Sequence, residues 1–282
     1  MRFKIIEVEV KQALSKSGLP DIDYALNPYI GCVHGCLYCY AKAYTRSRDI
    51  VDNWGSAVIV KKNLVDILRR DVKKVNKGVV GIGTITDPYQ PVEAIYKLTR
   101  KCIELLVENN FKISIQTKSS LILRDLDLLK MYRKLVDVGI TITSTSNSSA
   151  ITKLEPYSSP PQARIETLKK LAEEGIKTWV FYGPIIPGFN DDVEEVAKVL
   201  RIAKSTNSSV YIDKFRIKKF MWSNILLKDI AKRSNAYDWC GLFESIFKLC
   251  KLIGVKCRYG FNYPGENQNM KLDRYIEKGQ NI

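Results

Sequence analysis

Short apolar segments rich in β-branched and aromatic residues alternate with longer amphipathic segments along most of the chain. The short segments predict buried strands, over residues 79–85, 111–117, 140–144, 177–182 and 209–212. The longer segments carry apolar residues at helical spacing and predict helices, over residues 91–109, 125–138, 161–174 and 191–204. Strands that alternate with helices predict a parallel sheet with right-handed crossover connections.

Three further short segments extend this pattern, near Tyr29, near Val58 and at residues 255–259. We therefore predict an α/β fold, a partial (β/α) barrel of about six parallel strands with outer helices. An open doubly wound sheet is the alternative.

The chain has no Pro-, Gly- or Ser-rich linker long enough to separate two large domains. We expect an N-terminal arm or strand over residues 1–24, the barrel domain over residues 25–260 and a C-terminal tail over residues 261–282. With 45% apolar and 27% charged residues, disorder, collagen and a membrane channel are excluded. The first residues lack the apolar core of a signal peptide, so we expect a cytoplasmic protein with no membrane association.

The charge balance is strongly basic. Lysine and arginine number 45 against 30 aspartates and glutamates, which gives a net charge of +15. Such an excess attracts polyanions, among them nucleic acid, acidic lipid and anionic cofactors. A heat-adapted surface is the alternative, but it would bring lysine and glutamate close to balance.

The seven cysteines divide into a cluster and four scattered residues. They are Cys32, Cys36, Cys39, Cys102, Cys240, Cys250 and Cys257. Their odd number and the expected compartment argue against a disulfide framework. We expect the four scattered cysteines to be small buried hydrophobic residues.

Cys32, Cys36 and Cys39 have the spacing C-x3-C-x2-C. Three thiolates on one tight loop can bind three irons of a cubane iron–sulfur cluster and leave the fourth iron open for chemistry. Gly31 and Gly35 allow the left-handed backbone angles that such a loop needs.

Two alternatives compete with the cluster. Zinc with His34 as fourth ligand would require a tetrahedron from residues that are too close in sequence, and the chain offers no second CxxC or HxxxH pair. Three clustered structural cysteines are the other alternative. We interpret His34 as a loop residue or a hydrogen-bond partner near the cluster.

The pattern C-x3-C-x-Tyr-C at the start of an α/β barrel resembles the signature of radical S-adenosylmethionine (SAM) enzymes. The chain is most similar to the spore photoproduct lyase-like branch, which includes archaeal nucleic-acid-modifying proteins, and the resemblance runs from about Asp23 to Tyr259. The supporting motifs are Asn27-Pro28-Tyr29, Thr86-Asp87-Pro88-Tyr89-Gln90-Pro91, Thr117-Lys118-Ser119, Arg124-Asp125, Leu154-Glu155-Pro156 and Pro187-Gly188-Phe189-Asn190-Asp191.

The resemblance implies two cofactors, a [4Fe–4S] cluster and SAM. SAM would chelate the open iron, and an electron from the reduced cluster would break its C5′–S bond. The resulting 5′-deoxyadenosyl radical would abstract a hydrogen atom from the substrate. It also implies an electron donor such as a ferredoxin or flavodoxin.

The resemblance further implies residue roles. Cys32, Cys36 and Cys39 would ligate the cluster, Tyr40 would act beside them, and Tyr38 would pack on the adenine. Further SAM contacts are expected at strand ends, from Gly83, Thr84, Thr86, Thr117, Lys118, Ser144, Ser146, Ile186 and Gly188. Arg164 would pair with the SAM carboxylate. The alternative is that these residues have structural roles only, with the strand-end Thr and Ser residues as caps and Arg164 as a surface cation. The chain also lacks the usual G-G-E motif after residues 79–85.

One departure from the branch concerns the hydrogen-donating cysteine of spore photoproduct lyase. No cysteine lies between Cys39 and Cys102 here, and Cys102 fits a helix core. We therefore predict that the protein is not a thymine-dimer lyase, although Tyr38 and Tyr40 are both present.

A second feature concerns the substrate. Residues 214–222 interleave lysines and arginines with aromatic residues, and Lys42, Arg46 and Arg48 follow the cysteine motif. Cations bind phosphates and aromatic faces stack unpaired bases, so we expect a nucleic-acid substrate, tRNA or DNA. A strand with a solvated face and buried aromatics is the alternative for this segment. Two other functions stay open: radical chemistry on a small molecule or protein, and nucleic-acid binding with a structural or redox-sensing cluster.

Overall fold

The computed structural model describes residues 3–261. The strands are β1 (Lys4–Val8), β2 (Ser15–Lys16), β3 (Tyr24–Leu26), β4 (Tyr29–Ile30), β5 (Ala57–Lys61), β6 (Val79–Ile82), β7 (Lys112–Thr117), β8 (Val136–Thr141), β9 (Lys177–Ile185), β10 (Ser209–Lys214) and β11 (Cys257–Tyr259). The helices are α1 (Ala41–Tyr44), α2 (Arg48–Asp52), α3 (Leu64–Asp71), α4 (Glu93–Tyr96), α5 (Leu98–Glu108), α6 (Leu126–Met131), α7 (Ser149–Leu154), α8 (Pro161–Glu173), α9 (Val193–Ser205), α10 (Ile225–Asn235) and α11 (Trp239–Ile253). Two 3₁₀ helices span Ser120–Asp125 and Lys219–Ser223.

The main sheet has eight strands in the order β11-β10-β9-β8-β7-β6-β3-β2. All its neighbours pair in parallel except β2, which is antiparallel to β3. From β6 to β11 the spatial order follows the chain order, without the reversal that defines a doubly wound sheet. The predicted α/β fold, with a mostly parallel sheet of the partial-barrel type, is confirmed.

A second sheet of three strands, in the order β1-β5-β4, corrects part of the prediction. The segments near Tyr29 and Val58 belong to this sheet and not to the barrel. Residues 57–60 are all buried, because Val58 and Val60 pack in one apolar cluster and Ala57 and Ile59, on the opposite face of β5, pack in another. The first barrel strand is instead β3, which is too short to give a sequence pattern.

The predicted N-terminal arm, residues 1–24, contributes β1 to the small sheet and β2 to the edge of the main sheet. The boundaries of the predicted domains stay predictions. Residues 262–282 of the predicted C-terminal tail lie outside the described residues.

The helix predicted over residues 125–138 is wrong at its C-terminal end. Helix α6 ends at Met131, and β8 begins at Val136. Asp137 points to one face of β8, where it accepts hydrogen bonds from Ser114 Oγ on β7 and Trp179 Nε1 on β9. These contacts come from strands far away in sequence, so the helical spacing of the apolar residues was misleading here. The helix predicted over residues 91–109 is also interrupted, because Lys97 adopts a left-handed conformation between α4 and α5.

The main apolar core lies between the barrel strands and the helices α3, α5, α8, α9 and α11. Burial of each large aliphatic side chain in such a core stabilises the fold by about 1.5–3 kcal/mol. None of the helices within residues 3–261 has the length and apolarity needed to span a bilayer.

The four scattered cysteines behave differently from one another. Cys102 is fully buried in α5, as expected. Cys240 is exposed, and Cys250 and Cys257 form a disulfide. The prediction of four buried hydrophobic residues is therefore wrong for Cys240 and Cys257. Cys250 is buried in the core as predicted, but as one half of a disulfide. The physical reason for the disulfide is that Gly254, at φ +78°, turns the chain back so that β11 passes beside the last turn of α11.

Gly35, in the cysteine loop, and Gly55, in the turn before β5, approach each other closely. Both have positive φ angles, +65° and +91°. A Cβ on Gly55 would lie 2.8 Å from Gly35 Cα, a backbone atom that cannot move away cheaply. This contact fixes the distance between the cysteine loop and the small sheet.

We expect Gly55→Ala to destabilise the protein more than Gly175→Ala does. Gly175 also has a positive φ, +72°, but a Cβ there would meet only Arg133 Cδ at 3.9 Å. The control should cost about 1–2 kcal/mol for the backbone conformation alone, and Gly55→Ala should add about 1–3 kcal/mol for the overpacked contact. Urea denaturation followed by circular dichroism measures both, and equal losses would contradict the role of the glycine contact.

Candidate active site

The cysteine loop, residues 31–40, connects β4 to α1. Cys32 and Cys36 are buried and Cys39 is half-buried, and all three are free thiols. Two backbone bonds fold the loop back on itself, from Gly35 N to Cys32 O at 3.3 Å and from Cys39 N to Cys36 O at 3.2 Å. Gly31 has φ +85°, so both loop glycines use the left-handed angles predicted from the sequence.

The three thiols lie close enough to influence one another's ionisation. Burial raises the pKa of each thiol, and for Cys32 the charges of Asp87, Cys36 and Cys39 raise it further. Thiolates in such a place need a bound cationic group to balance their charge.

Three free thiols on one short loop are the donor set that an iron–sulfur cluster takes in proteins. Within residues 3–261, no three His, Cys, Asp or Glu side chains converge as the ligands of one ion do. A cubane cluster offers a separate iron to each thiolate, so its ligands need not converge on one point. Cys32, Cys36 and Cys39 are the residues that would hold such a cluster.

Two residues of the segment after β6 clamp the start of the loop. Thr86 Oγ1 donates to Gly31 O at 2.6 Å, and Gln90 Nε2 donates to the same oxygen at 3.2 Å. The side-chain oxygen of Gln90 accepts from Val33 N at 2.9 Å. Sequence reasoning missed this role of Gln90, although the residue lies in one of the motifs that carried the resemblance.

His34 lies against Asp87, with 3.4 Å between Nδ1 and Oδ2. Asp87 also accepts from Thr117 Oγ1 at 2.7 Å and from Lys118 N at 2.8 Å. Burial alone would raise the pKa of Asp87, but His34 and these two hydrogen bonds lower it below its usual value. His34 is thus a partner of a buried carboxylate, as expected, and Thr117 and the Lys118 backbone fix that carboxylate at the end of β7.

Glu155, just after α7, is the centre of a second buried group that we call the Glu155 network. Tyr38 Oη and Thr143 Oγ1 both donate to its Oε1, the second at 2.7 Å. Arg164 Nη2 donates to Oε2, and Lys118 Nζ lies 3.6 Å from Oε1. Burial would raise the pKa of Glu155, but the charges of Arg164 and Lys118 hold it well below its usual range. The sequence motif Leu154-Glu155-Pro156 gives no sign of this central role.

Arg164 is 2% exposed and is not a surface cation. Besides Glu155, its guanidinium donates to Ser159 O at 2.6 Å, Ser158 Oγ at 2.6 Å and Thr141 O at 3.3 Å. Its pairing with the SAM carboxylate stays a prediction, and the geometry disfavours it because the guanidinium is buried and its three nitrogens already donate to protein oxygens.

The predicted site residues after β6 hold the far end of the loop. Tyr40 Oη donates to Thr84 O at 2.5 Å, and Asn27 Nδ2 donates to Thr84 Oγ1 at 2.9 Å. Gly83 lies against Pro88 and the carbonyl of Gln116, which leave no room for a Cβ. Contacts of this segment with SAM stay a prediction.

The residues predicted after β8 and β9 lie at different depths. Ser144 is buried and accepts from Ser146 N at 3.2 Å, whereas Ser146 is exposed. Ile186 is fully buried in an apolar cluster with Cys36 and Tyr38. Gly188 is exposed, and its N–H donates to Asp191 at 2.8 Å. Of these four, Ile186 is the residue that packs with the cysteine loop.

We expect Glu155→Gln to destabilise the protein by about 3–5 kcal/mol, because the buried cation Arg164 and the mostly buried cation Lys118 would be left without their anion. Glu166→Gln is the matched control, since Glu166 is exposed on the same helix as Arg164. Urea denaturation at neutral pH gives the difference in the free energy of unfolding.

The pH dependence supplies a second readout of the same variant. Because the pKa of Glu155 is lowered on folding, its charge stabilises the protein above the unfolded pKa and this contribution disappears as the pH falls through the folded pKa. The advantage of the wild type over Glu155→Gln should therefore begin to shrink below about pH 4 and continue to shrink as the pH falls further. An advantage that grew in acid would contradict the network.

Comparison with known proteins places the chain in a family. The model of the radical SAM superfamily matches residues 26–200. An uncharacterized protein of Methanocaldococcus jannaschii is 34% identical over 217 residues, which cover 77% of this chain and 80% of the relative. An uncharacterized protein of Acidianus two-tailed virus is 35% identical over 61% of this chain and 60% of the viral protein. The "Radical SAM Nalpha-GlyT isomerase" of Pseudomonas phage M6 is 28% identical over 73% of this chain and 42% of the phage protein.

Solved structures agree on the fold. A mutant spore photoproduct lyase with bound AdoMet and dinucleoside spore photoproduct has a TM-score of 0.67 at 14% identity, covering 92% of this chain and 82% of the lyase. A radical SAM methyltransferase of Sphaerobacter thermophilus has a TM-score of 0.53, also at 14% identity, covering 87% of this chain and 67% of the methyltransferase. With the family match over residues 26–200 and a fold that matches the spore photoproduct lyase-like branch, the chain belongs to the radical SAM superfamily of enzymes.

Proposed function

We propose that this protein is a radical SAM enzyme that modifies or repairs nucleic acid, with Cys32, Cys36 and Cys39 as the ligands of a [4Fe–4S] cluster. One observation carries the nucleic-acid part: a strongly basic surface begins at the cysteine loop.

A reduced cluster held by Cys32, Cys36 and Cys39 would supply the electron for the reductive cleavage of SAM. A ferredoxin or flavodoxin is the kind of donor we propose for that electron. Thr86 and Gln90 would hold the start of the loop against the barrel, and Glu155 would hold Tyr38. Lys118 is the cation of the Glu155 network that keeps some exposure, 15% of its side chain. We therefore propose Lys118, and not Arg164, as the partner of the SAM carboxylate.

We call residues 42–48 and 214–233 the basic surface. Together they contain ten lysines and arginines and one acidic residue, Asp229. The two segments are in contact: Lys218 Nζ donates to Tyr44 Oη at 2.7 Å, and Lys42 Nζ lies 5.3 Å from the centre of the Phe220 ring. A small part of the chain thus carries most of its positive excess.

The basic surface is joined to the cysteine loop by apolar packing. Phe215, Met221 and Leu227 are buried in the same cluster as Cys36 and Tyr38. A polyanion bound on this surface would lie beside the cysteine loop, where the radical would be formed. This proximity supports the hypothesis that the basic surface binds a nucleic-acid substrate, over the alternative that its charge has no function.

Part of the surface is internally engaged. Arg216 pairs with Asp213 at 2.6 Å, and Arg233 pairs with Asp229 at 3.0 Å. Phe215 is buried, as the alternative for this segment expected. Three lysines are exposed on the surface, Lys219, Lys228 and Lys232. These three are the ones we propose to contact phosphates.

The comparisons supply further support for this substrate. A structural neighbour was solved with a dinucleoside spore photoproduct. The chain still lacks a cysteine between Cys39 and Cys102, so we do not propose that it cleaves thymine dimers.

The cofactor part is tested with anaerobically reconstituted full-length protein. After reduction it should be brown and should release 5′-deoxyadenosine from SAM. Cys36→Ala should lose the cluster absorbance and reduce this release to background while keeping the circular dichroism of the wild type. Cys102→Ala, which changes a buried cysteine of α5, should keep both. Normal SAM cleavage by Cys36→Ala would refute the assignment.

The nucleic-acid part is tested with two triple variants of equal charge. One replaces three exposed lysines of the basic surface with alanine, at Lys219, Lys228 and Lys232. The other does the same on outer helices and their connections, at Lys73, Lys74 and Lys169. The first should weaken oligonucleotide binding at least about tenfold at low salt and lower the slope of log K against log salt by about 2. The second should change little. Equal effects of the two variants would show that only net charge matters.

A further inference from the structure

An apolar corner interrupts the basic surface. Trp222 is 44% exposed, Ile225 is 91% exposed and Leu226 is 38% exposed. They lie where the 3₁₀ helix Lys219–Ser223 meets the first turn of α10. Exposure of three large apolar side chains within five residues is typical of a binding surface.

The backbone under this corner is firmly held. Met221 and Leu227, on either side of it in sequence, are 0% and 2% exposed and pack beside Cys36 and Tyr38. Asn224 caps α10, since its Oδ1 accepts from Leu227 N at 3.1 Å, and its own N–H donates to Met221 O at 3.3 Å. Trp222 is therefore displayed by a fixed segment that adjoins the cysteine loop.

The surroundings of the corner limit the choice of ligand. Lys219 and Lys228 are exposed on its two sides in sequence. A ligand that fits must combine an apolar flat group with negative charges on either side, which describes an unpaired base with its neighbouring phosphates. A bilayer with acidic lipids shares this chemistry. The packing beside Cys36 and Tyr38 favours the base, because a nucleotide strand held here would reach the site of chemistry.

We propose that Trp222, with Ile225 and Leu226, is a stacking platform for an unpaired base, and that Lys219 and Lys228 bind the phosphates on either side of it. This inference rests on the proposed function and narrows the substrate to single-stranded or looped nucleic acid. Bases inside a duplex offer no free face to an indole ring.

The test measures binding of full-length protein to labelled oligonucleotides of about 12 nucleotides. Four probes are compared: a DNA strand, an RNA strand of the same sequence, the DNA duplex, and a DNA strand with abasic positions at its centre. Wild type should bind the single strands more tightly than the duplex and the abasic strand.

The variants separate stacking from charge. Trp222→Ala should weaken single-strand binding by about 5- to 100-fold, with the salt slope unchanged because no phosphate contact is lost. Trp222→Phe should retain most of the affinity, and Trp222→Ala should no longer distinguish the intact strand from the abasic strand. Leu252→Ser, at an 83% exposed apolar residue of α11, is the control and should bind as wild type. Because Trp222 is exposed, the thermal midpoints should match.

Each contrary outcome has one meaning. Unchanged single-strand affinity of Trp222→Ala, with steep salt dependence intact, would overturn the stacking platform and leave the proposed function standing. Failure of wild type to bind any of the probes would refute the nucleic-acid substrate itself. Loss of binding to phosphatidylserine vesicles by Trp222→Ala, without an effect on oligonucleotides, would assign the corner to a membrane and overturn the inference.

Discussion

The buried carboxylate of Glu155 joins the parts of the molecule that the chemistry needs close together. It accepts hydrogen bonds from Tyr38 in the cysteine loop and from Thr143 after β8, and it pairs with Arg164 of α8. Lys118, at the end of β7, lies beside it. These residues come from four separate segments of the chain. Their side chains can meet only when consecutive barrel strands are in register and α8 is docked on them.

A charged network is a costly way to hold a fold together. Removing ions from water offsets much of their attraction, and well-packed apolar residues often stabilise a protein equally well. The network also fixes the orientation of the side chains around Glu155, because each oxygen of the carboxylate accepts hydrogen bonds over a limited range of angles. Tyr38 lies one residue before Cys39, so fixing its hydroxyl also limits the orientation of the loop that carries the thiols. The same cations partly offset the burial of Cys36, since Lys118 and Arg164 lower the pKa that burial raises.

The parts of this structure that could be predicted are those determined by local sequence. The apolar patterns of strands β6, β7, β9 and β10 and the C-x3-C-x2-C spacing are short-range signals. The left-handed glycines of the cysteine loop follow from that spacing. The errors have non-local causes. The extent of β8 depends on Ser114 and Trp179 from neighbouring strands. The surface-cation alternative for Arg164 fails because the residue is buried against the carboxylate of Glu155, whose own burial no sequence pattern reveals. Gln90 was overlooked for the same reason, because its partners lie in a loop far away in the chain.

One apolar cluster around Cys36 contains residues of both the cysteine loop and the basic surface. Its members include Tyr38, Ile186 and Met221, from the cysteine loop, the segment after β9 and the 3₁₀ helix beside Trp222. A close-packed cluster transmits position well, because its side chains cannot shift independently. The place of the thiols and the place of the exposed tryptophan are therefore set by the same contacts. For the nucleic-acid substrate that we propose, this property would be needed, since a strand anchored on a separate mobile element would not be presented reproducibly to the radical.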